Sequence, residues 1–124
     1  EARTDGDEIA VPLELFFDGN DDLGSIGCNL IEHPSIAAFY RVLKEIESRP
    51  IVKKVLLRIS DSDDPTSWPY SDTAYIITSA SLEEVRQWVS QLMPDEVYPR
   101  WMYGRPPVAE VPAEGDQVYS VWWD

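Results

Sequence analysis

The sequence LELFFDGNDD, residues Leu13–Asp22, joins an apolar run to an abrupt acidic turn, and the fold prediction starts from it. Leu13, Leu15 and Phe17 take alternate positions, and a period of two is typical of a strand with one face in a core. The Asp, Gly and Asn residues that follow favour turns and tolerate left-handed backbone angles. We therefore predict a first strand over residues 11–17 that ends at this turn.

The composition is that of a globular protein with an unusual charge. A chain of 124 residues can form one domain with its own core, and a hydrophobic content of 44% is ordinary. The formal net charge is −13, from 23 acidic and 10 basic residues. Such a surface repels nucleic acid and anionic membranes and attracts basic proteins or cations. We predict a flexible acidic lead-in over residues 1–10 and a single domain over 11–124, with no direct binding to nucleic acid or membranes.

The cysteine content indicates a compartment. Cys28 is the single cysteine, so it has no partner for an internal disulfide, which favours a reducing environment. No apolar run approaches the length of about 20 residues that spans a bilayer, and Glu1 does not begin a signal-peptide pattern. The chain begins without Met, so the sequence leaves open whether a leader was removed. The predicted location is the cytoplasm.

Two segments have the apolar spacing of amphipathic helices. The first begins near Pro34, which fits a first helical turn, and ends before Pro50. The second begins with the capping box formed by Ser81 and Glu84 and ends at Pro94. The apolar stripe of the first helix is Ile36, Phe39, Val42, Leu43 and Ile46, and that of the second is Val85, Trp88, Val89 and Leu92.

Further strands are predicted over residues 51–60, 73–78 and 118–123, which are rich in β-branched and aromatic residues. Residues 23–32 are ambiguous. They are either a second hairpin arm over 25–31 or a loop whose Ile26 and Leu30 fill the core. Residues 95–117 form a long connection with four prolines, which exclude a helix or a central strand, yet it is too aromatic for a plain tether.

The order of these elements predicts an α+β fold of the ferredoxin-like, split βαβ type. Its mainly antiparallel sheet would have four or five strands in the order 4-1-3-2, with both helices on one face. The other face would carry Phe16, Leu56 and either the odd or the even residues of the last strand. Trp122 and Trp123 must point to opposite faces. The 95–117 connection, a second copy of the chain or a ligand would then cover the open face.

Two acidic turns suggest a charged edge. Asp18, Asn20 and Asp22 have the D-x-N-x-D spacing of a calcium loop, but the glycine falls at the seventh position and Asn29 replaces the bidentate Glu at the twelfth. In a split βαβ sheet the first two strands are parallel, so this turn and the one after the second strand would lie together. The edge could bind a basic protein or a cation, or simply be solvated, and no metal site is assigned. Its residues are Asp18, Asp21, Asp22, Asp61, Asp63 and Asp64.

The sequence offers one conceivable nucleophilic pair. Cys28 and His33 could form a thiolate–imidazole pair, but no third orienting group or oxyanion hole is recognisable. A single cysteine is usually a small buried apolar residue, and His33 is better placed to cap the helix that follows. We therefore predict no catalytic residue and no cofactor.

Aromatic residues and arginines in the two long connections are the remaining candidates. These residue types are enriched at binding hot spots, and they are equally suited to lining a core. The candidate binding residues are Trp68, Tyr70, Tyr98, Arg100, Trp101 and Tyr103.

The function predicted is a non-enzymatic protein-interaction module, such as an inhibitor or immunity-type protein for a basic partner. One alternative is a small-molecule or divalent-cation binding protein or enzyme with a pocket under the 95–117 connection. Another is a homo-oligomeric structural protein, for example a homodimer through the open sheet face.

Overall fold

The computed structural model describes residues 10–20, 26, 33–59, 71–101 and 112–123. Predictions for the lead-in, for most of residues 23–32 and for the turn at 61–70 lie outside the described residues. The elements in chain order are β1 (Ala10–Pro12), α1 (Leu13–Phe17), α2 (Ile36–Glu47), β2 (Val52–Arg58), β3 (Thr73–Thr78), α3 (Leu82–Val89) followed by a 3-10 turn (Ser90–Leu92), β4 (Glu96–Tyr98) and β5 (Gln117–Trp122).

The fold is α+β, with an open five-stranded sheet whose strand pairs are all antiparallel. The strand order is β1-β2-β3-β5-β4, so the predicted order 4-1-3-2 was wrong and the split βαβ arrangement is not confirmed. β1 lies at an edge and runs antiparallel to β2, and β3 occupies the centre. All six residues of β3 are buried, because neighbouring strands flank it and both faces of the sheet are covered there.

The stretch predicted as the first strand is a strand only as far as Pro12. Residues 13–17 form helix α1 instead. Leu13, Phe16 and Phe17 are buried, whereas Leu15 is 69% exposed, so the buried positions follow the i, i+3, i+4 spacing of a helix. The four apolar residues of this segment fit both periodicities, and packing against α2 decides between them, since the ring of Phe17 stacks on Tyr40 with centroids 5.0 Å apart. Phe16 therefore lies in the helix-side core and not on the open face.

An ion pair on the surface also joins α1 to α2. The ammonium group of Lys44 donates hydrogen bonds to the carboxylates of Glu14 and Glu47. The bond from Lys44 holds the pKa of Glu14 below its ordinary value, and the backbone of Glu14 acts in the same direction. Both partners are about half-exposed, so this pair orients the short helix more than it stabilises the domain.

Both longer helices are confirmed, with their predicted apolar stripes facing the sheet. The start of α2 differs in detail, because Ser35 is the N-cap residue and Pro34 precedes it. The Ser35 hydroxyl accepts a hydrogen bond from the Ala38 N–H at 3.1 Å. The start of α3 carries the predicted capping box between Ser81 and Glu84. No helix among the described residues has the length and apolar character to cross a membrane.

Strand β5 separates two apolar clusters. Tyr119, Val121 and Trp123 face the helices and belong to the main core, so the opposite face carries the even-numbered residues. Trp123 is 1% exposed, its indole N–H donates to the Leu92 carbonyl oxygen at 2.8 Å, and its ring lies 5.3 Å from that of Phe39. The second cluster confirms the prediction that Leu56 lies on the other face. Its members are Ala10, Leu56, Tyr75, Ile77 and Val118, with Trp101 packed against them.

Strand β4 was not predicted. It consists of three residues, Glu96–Tyr98, paired with β5 so that Val97 lies opposite Val121. Prolines at positions 94 and 99 flank it closely, and a high density of prolines argues against regular structure in this part of the sequence. A short edge strand tolerates such neighbours, because only one of its sides bonds to the sheet.

The helical assignment of residues 13–17 is testable with two leucines. Leu13→Ala should lower the free energy of unfolding by about 2–5 kcal/mol, because Leu13 is fully buried. Leu15→Ala should change it by less than about 0.5 kcal/mol, since that side chain is mostly in solvent. Urea unfolding of both variants makes the measurement. Similar losses in the two would indicate a strand, in which both side chains share one face.

The two adjacent tryptophans offer a second test. Trp123→Phe should lower the free energy of unfolding by about 2–4 kcal/mol, because it leaves a cavity beside Phe39 and deprives the Leu92 carbonyl of its donor. Trp122→Phe, the matched control on the other face, should lower it by less than about 1 kcal/mol. Denaturant unfolding followed by circular dichroism gives both values. Equal losses would contradict the assignment of the two faces.

Candidate functional site

The residues predicted from composition come together in part at the β4 edge of the open face. The pairing of the strands places Leu56, Tyr75, Ser120 and Tyr98 in one row across β2, β3, β5 and β4. The next row ends with Trp122 opposite Glu96. Tyr98 and Trp122 are half-buried and Glu96 is exposed. We call the surface formed by Glu96, Tyr98, Arg100, Trp101 and Trp122 the β4 margin.

The segment after β4 folds back over this face and is fixed at two points. The Arg100 N–H donates to the Tyr98 carbonyl oxygen at 2.9 Å, which makes a tight turn through Pro99. The Arg100 carbonyl oxygen accepts a hydrogen bond from the Ser120 hydroxyl at 2.5 Å. The Trp101 ring then packs edge-on against Tyr75, with centroids 4.9 Å apart. The backbone on either side of the Arg100 side chain is thereby anchored to the sheet.

The structure supports the core-lining interpretation for one member of the set, and the hot-spot interpretation of the others stays a prediction. Trp101 lines the sheet, since it covers Tyr75 in the second cluster. Arg100 is exposed, and Tyr98 is half-buried. The other predicted members, Trp68, Tyr70 and Tyr103, lie outside the described residues.

Trp122 was not among the predicted binding residues. The signal for it was present, because adjacent tryptophans on a strand must face opposite sides and one of them had to leave the helix-side core. The strand register supplies what the sequence lacked, since it places Trp122 directly opposite Glu96 and therefore beside the 98–101 turn.

The predicted acidic edge loses its geometric basis. It required parallel first and second strands, and β1 and β2 are antiparallel. Asp18 is exposed at the end of α1, while Asp21, Asp22, Asp61, Asp63 and Asp64 lie outside the described residues. Asn20 is buried and donates from its side-chain amide to the Phe16 carbonyl oxygen at 3.2 Å, so it stabilises the turn after α1. Within the described ranges no three His, Cys, Asp or Glu side chains are grouped as metal ligands.

His33 has a structural role. Its Nδ1 accepts the Ser35 N–H at 2.9 Å, so its Nε2 carries the proton that is donated to the Ile26 carbonyl oxygen at 2.7 Å. With both ring nitrogens engaged, the imidazole has none left to serve as a base for Cys28, which lies outside the described residues. His33 ties buried Ile26 to the start of α2 and does not itself cap the helix. It also supports the strained backbone of Ser35, whose φ is +103°.

A cleft of about 340 Å³ lies between the end of α3 and β4. Arg86 and Ser90 line its helix side, and residues 93–97 line the other. Met93 adopts a left-handed backbone with φ of +55°, which turns the chain from the 3-10 turn toward β4. The cleft adjoins the beginning of the 95–117 connection, the segment under which a pocket was predicted.

Sequence comparisons relate most of the chain to one family of proteins. The family model described as "Uncharacterized protein YfbO family" matches residues 1–122. A protein of Escherichia coli (strain K12) named "Uncharacterized protein YfbO" is 40% identical over 117 residues, which is 90% of this chain and 80% of that protein. No solved structure matches the chain.

Because Trp101 covers the sheet and Arg100 is exposed, their substitution should affect stability differently. Trp101→Ala should lower the free energy of unfolding by about 1–3 kcal/mol, because it uncovers Tyr75 and the apolar cluster around it. Arg100→Ala should change it by less than about 0.5 kcal/mol, since the bonds from Arg100 to the sheet are made by its backbone groups. Thermal and urea unfolding measure both. A large loss on Arg100→Ala would mean that its side chain supports the fold.

Proposed function

We propose a function for this chain, which belongs to the YfbO family: it is a non-enzymatic protein-interaction module of the cytoplasm that binds a basic protein through the β4 margin. An inhibitor or immunity-type protein for a basic toxin or nuclease is the concrete form of this proposal. The observation that carries it is the exposed Arg100, held between Tyr98 and Trp101 on a backbone anchored to the sheet.

The β4 margin has the composition and rigidity of a binding hot spot. Tyr, Trp and Arg dominate such sites because they present large contact areas that lose little side-chain freedom on binding. Tyr98, Trp122 and Trp101 each keep part of their surface in solvent while the remainder packs on the sheet. A partner therefore meets a preformed surface, and the exposed Arg100 can donate to carbonyl or carboxylate oxygens of that partner.

The charge of the chain supports a basic partner. The described ranges contain eight of the ten basic residues and eleven of the 23 acidic residues, so most of the negative excess belongs to the rest of the sequence. An excess of this size raises the rate of encounter with cationic proteins, and salt screens that effect. Electrostatic attraction would thus speed association, while the β4 margin would provide the short-range contacts.

The two alternatives differ in the surface that they would use. A homodimer through the open face would have to use the β4 margin, because Leu56, Tyr75 and Ser120 at its centre are already buried within one chain. The net charge of −13 opposes that association. A small-molecule or divalent-cation site in a pocket under the 95–117 connection stays a prediction.

Capture from native lysate, followed by affinity measurement with the purified partner, tests the proposal. We expect the wild-type chain to retain a protein of high isoelectric point at about 0.05 M salt, with an affinity at least about tenfold lower at 0.5 M. Arg100→Ala should weaken binding of that partner by about tenfold or more.

Arg41→Ala is the matched control, since it removes the same charge from an exposed position on α2. It should change the affinity by less than about threefold. An affinity that does not respond to salt would remove the electrostatic part of the proposal. Equal effects of the two arginine substitutions would place the binding surface elsewhere.

A further inference from the structure

The cleft between the end of α3 and β4 has the size of a site for a small metabolite. Its volume is about 340 Å³, at the small end of the range for ligand pockets, roughly 300–1,000 Å³. Arg86 of α3 and Ser90 of the 3-10 turn are four residues apart, so they share one side of the cleft. Residues 93–97 form the other side. A ligand bound here would contact both sides at once.

Opposite charges line this cleft without pairing. Arg86 is an exposed cation on the helix side, and the exposed residues Asp95 and Glu96 belong to the other side. Within the described part of the chain no ion pair joins the Arg86 guanidinium to either carboxylate. The cleft therefore presents a fork of donors that fits a carboxylate and, across from it, an acceptor that fits an ammonium group.

Ser90 adds a second acceptor. Its hydroxyl donates its proton to the Gln87 carbonyl oxygen at 3.0 Å, so the lone pairs of the oxygen are what it offers to a ligand. An ammonium group has three donors and no acceptor, and it can bond to this oxygen as well as to a carboxylate.

Met93 gives the cleft an apolar surface that core packing does not explain. Its φ is +55°, in the left-handed region that glycine adopts without strain. Burial does not compensate for this strain, since Met93 is 43% exposed. A flexible thioether beside Pro94 in the lining is suited to packing against the apolar part of a ligand.

Backbone hydrogen bonds hold both sides of the cleft in place. The Met93 N–H donates to the Ser90 carbonyl oxygen at 3.1 Å, which closes the 3-10 turn. The Asp95 N–H donates to the Trp122 carbonyl oxygen at 2.8 Å, which ties the other side to β5. A site whose walls are already fixed loses little conformational freedom when a ligand binds.

We infer that this cleft binds a free α-amino acid with an apolar side chain, such as leucine or methionine. The α-carboxylate accepts hydrogen bonds from the Arg86 guanidinium, and the α-ammonium group donates to the carboxylate of Asp95 and to the hydroxyl of Ser90. The side chain of the ligand lies against Met93. The inference goes beyond the proposed function, because it concerns a small ligand and requires no protein partner.

The charges of the lining favour a zwitterion over a simple ion. A ligand with only a carboxylate would be repelled by Asp95 and Glu96, and one with only an ammonium group would be repelled by Arg86. A ligand that carries both groups on one carbon atom turns each of these contacts into an attraction.

Titration of the isotope-labelled full chain, followed by NMR, tests the inference with ligands that each lack one group. We expect leucine and methionine to give saturable shifts centred on the backbone amides of residues 86–97. Leucinamide, which lacks the carboxylate, and N-acetylleucine, which lacks the ammonium group, should each bind about fivefold or more weakly. Glycine, which lacks the apolar side chain, should bind about threefold or more weakly.

Substitutions on the protein give the matching controls. Arg86→Gln and Asp95→Asn should each weaken leucine binding by about fivefold or more. Arg41→Gln and Asp18→Asn remove the same charges from exposed positions on α2 and at the end of α1, and they should change it by less than about twofold.

Met93→Gly separates binding from stability. It removes the apolar contact and should weaken leucine binding by about threefold or more. The unfolding temperature should stay unchanged or rise, because glycine relieves the left-handed strain at this position. A purely structural role for Met93 would instead lower the unfolding temperature and leave the affinity for leucine unchanged.

Three results would overturn the inference. The first is an absence of saturable shifts with either amino acid up to roughly 20 mM, a concentration that would fill even a millimolar site. The second is equal binding of leucine and its two blocked analogues. The third is an equal loss of affinity in Arg86→Gln and Arg41→Gln. The proposed function is judged separately, since Arg100 does not line the cleft and Arg100→Ala should leave leucine binding unchanged.

Discussion

The position of Trp123 constrains three elements of this structure at once. Its ring packs on Phe39 of α2, and its indole N–H bonds to the Leu92 carbonyl at the end of the second helical segment. One residue therefore joins the end of β5 to both helices on that face. Since side chains alternate along β5, fixing Trp123 inside also fixes Trp122 and Ser120 on the opposite face, where the candidate binding surface is built.

Regular periodicity over enough residues made part of this fold predictable. The twelve residues of α2 and the eight of α3 carry long apolar stripes, and β3 matches its predicted bounds. Residues 13–17 were misassigned because their four apolar residues fit both a strand and a helix, and packing against α2, as in the contact of Phe17 with Tyr40, distinguishes the two. The three residues of β4 are too few to carry a period, and their pairing with β5 depends on residues about twenty positions away.

Composition identified part of the described candidate site, and geometry supplied the rest. Tyr98, Arg100 and Trp101 stand out as an aromatic and basic group, which is a local property of the sequence. The sequence does not show that Trp101 packs on Tyr75 or that the Arg100 carbonyl bonds to Ser120. These two contacts make Trp101 a residue that covers the sheet and leave Arg100 exposed. The acidic edge lost its geometric basis for the same kind of reason, because it rested on a parallel strand pair that depended on the misassigned segment, and it stays a prediction.

The central position of β3 has a consequence for biosynthesis. Its partner β2 precedes it closely, whereas its other neighbour, β5, begins about forty residues later. On the ribosome β3 must therefore wait, with one side unsatisfied, while α3, β4 and the intervening connection are translated. An apolar six-residue edge left open for that time is a site where aggregation can begin.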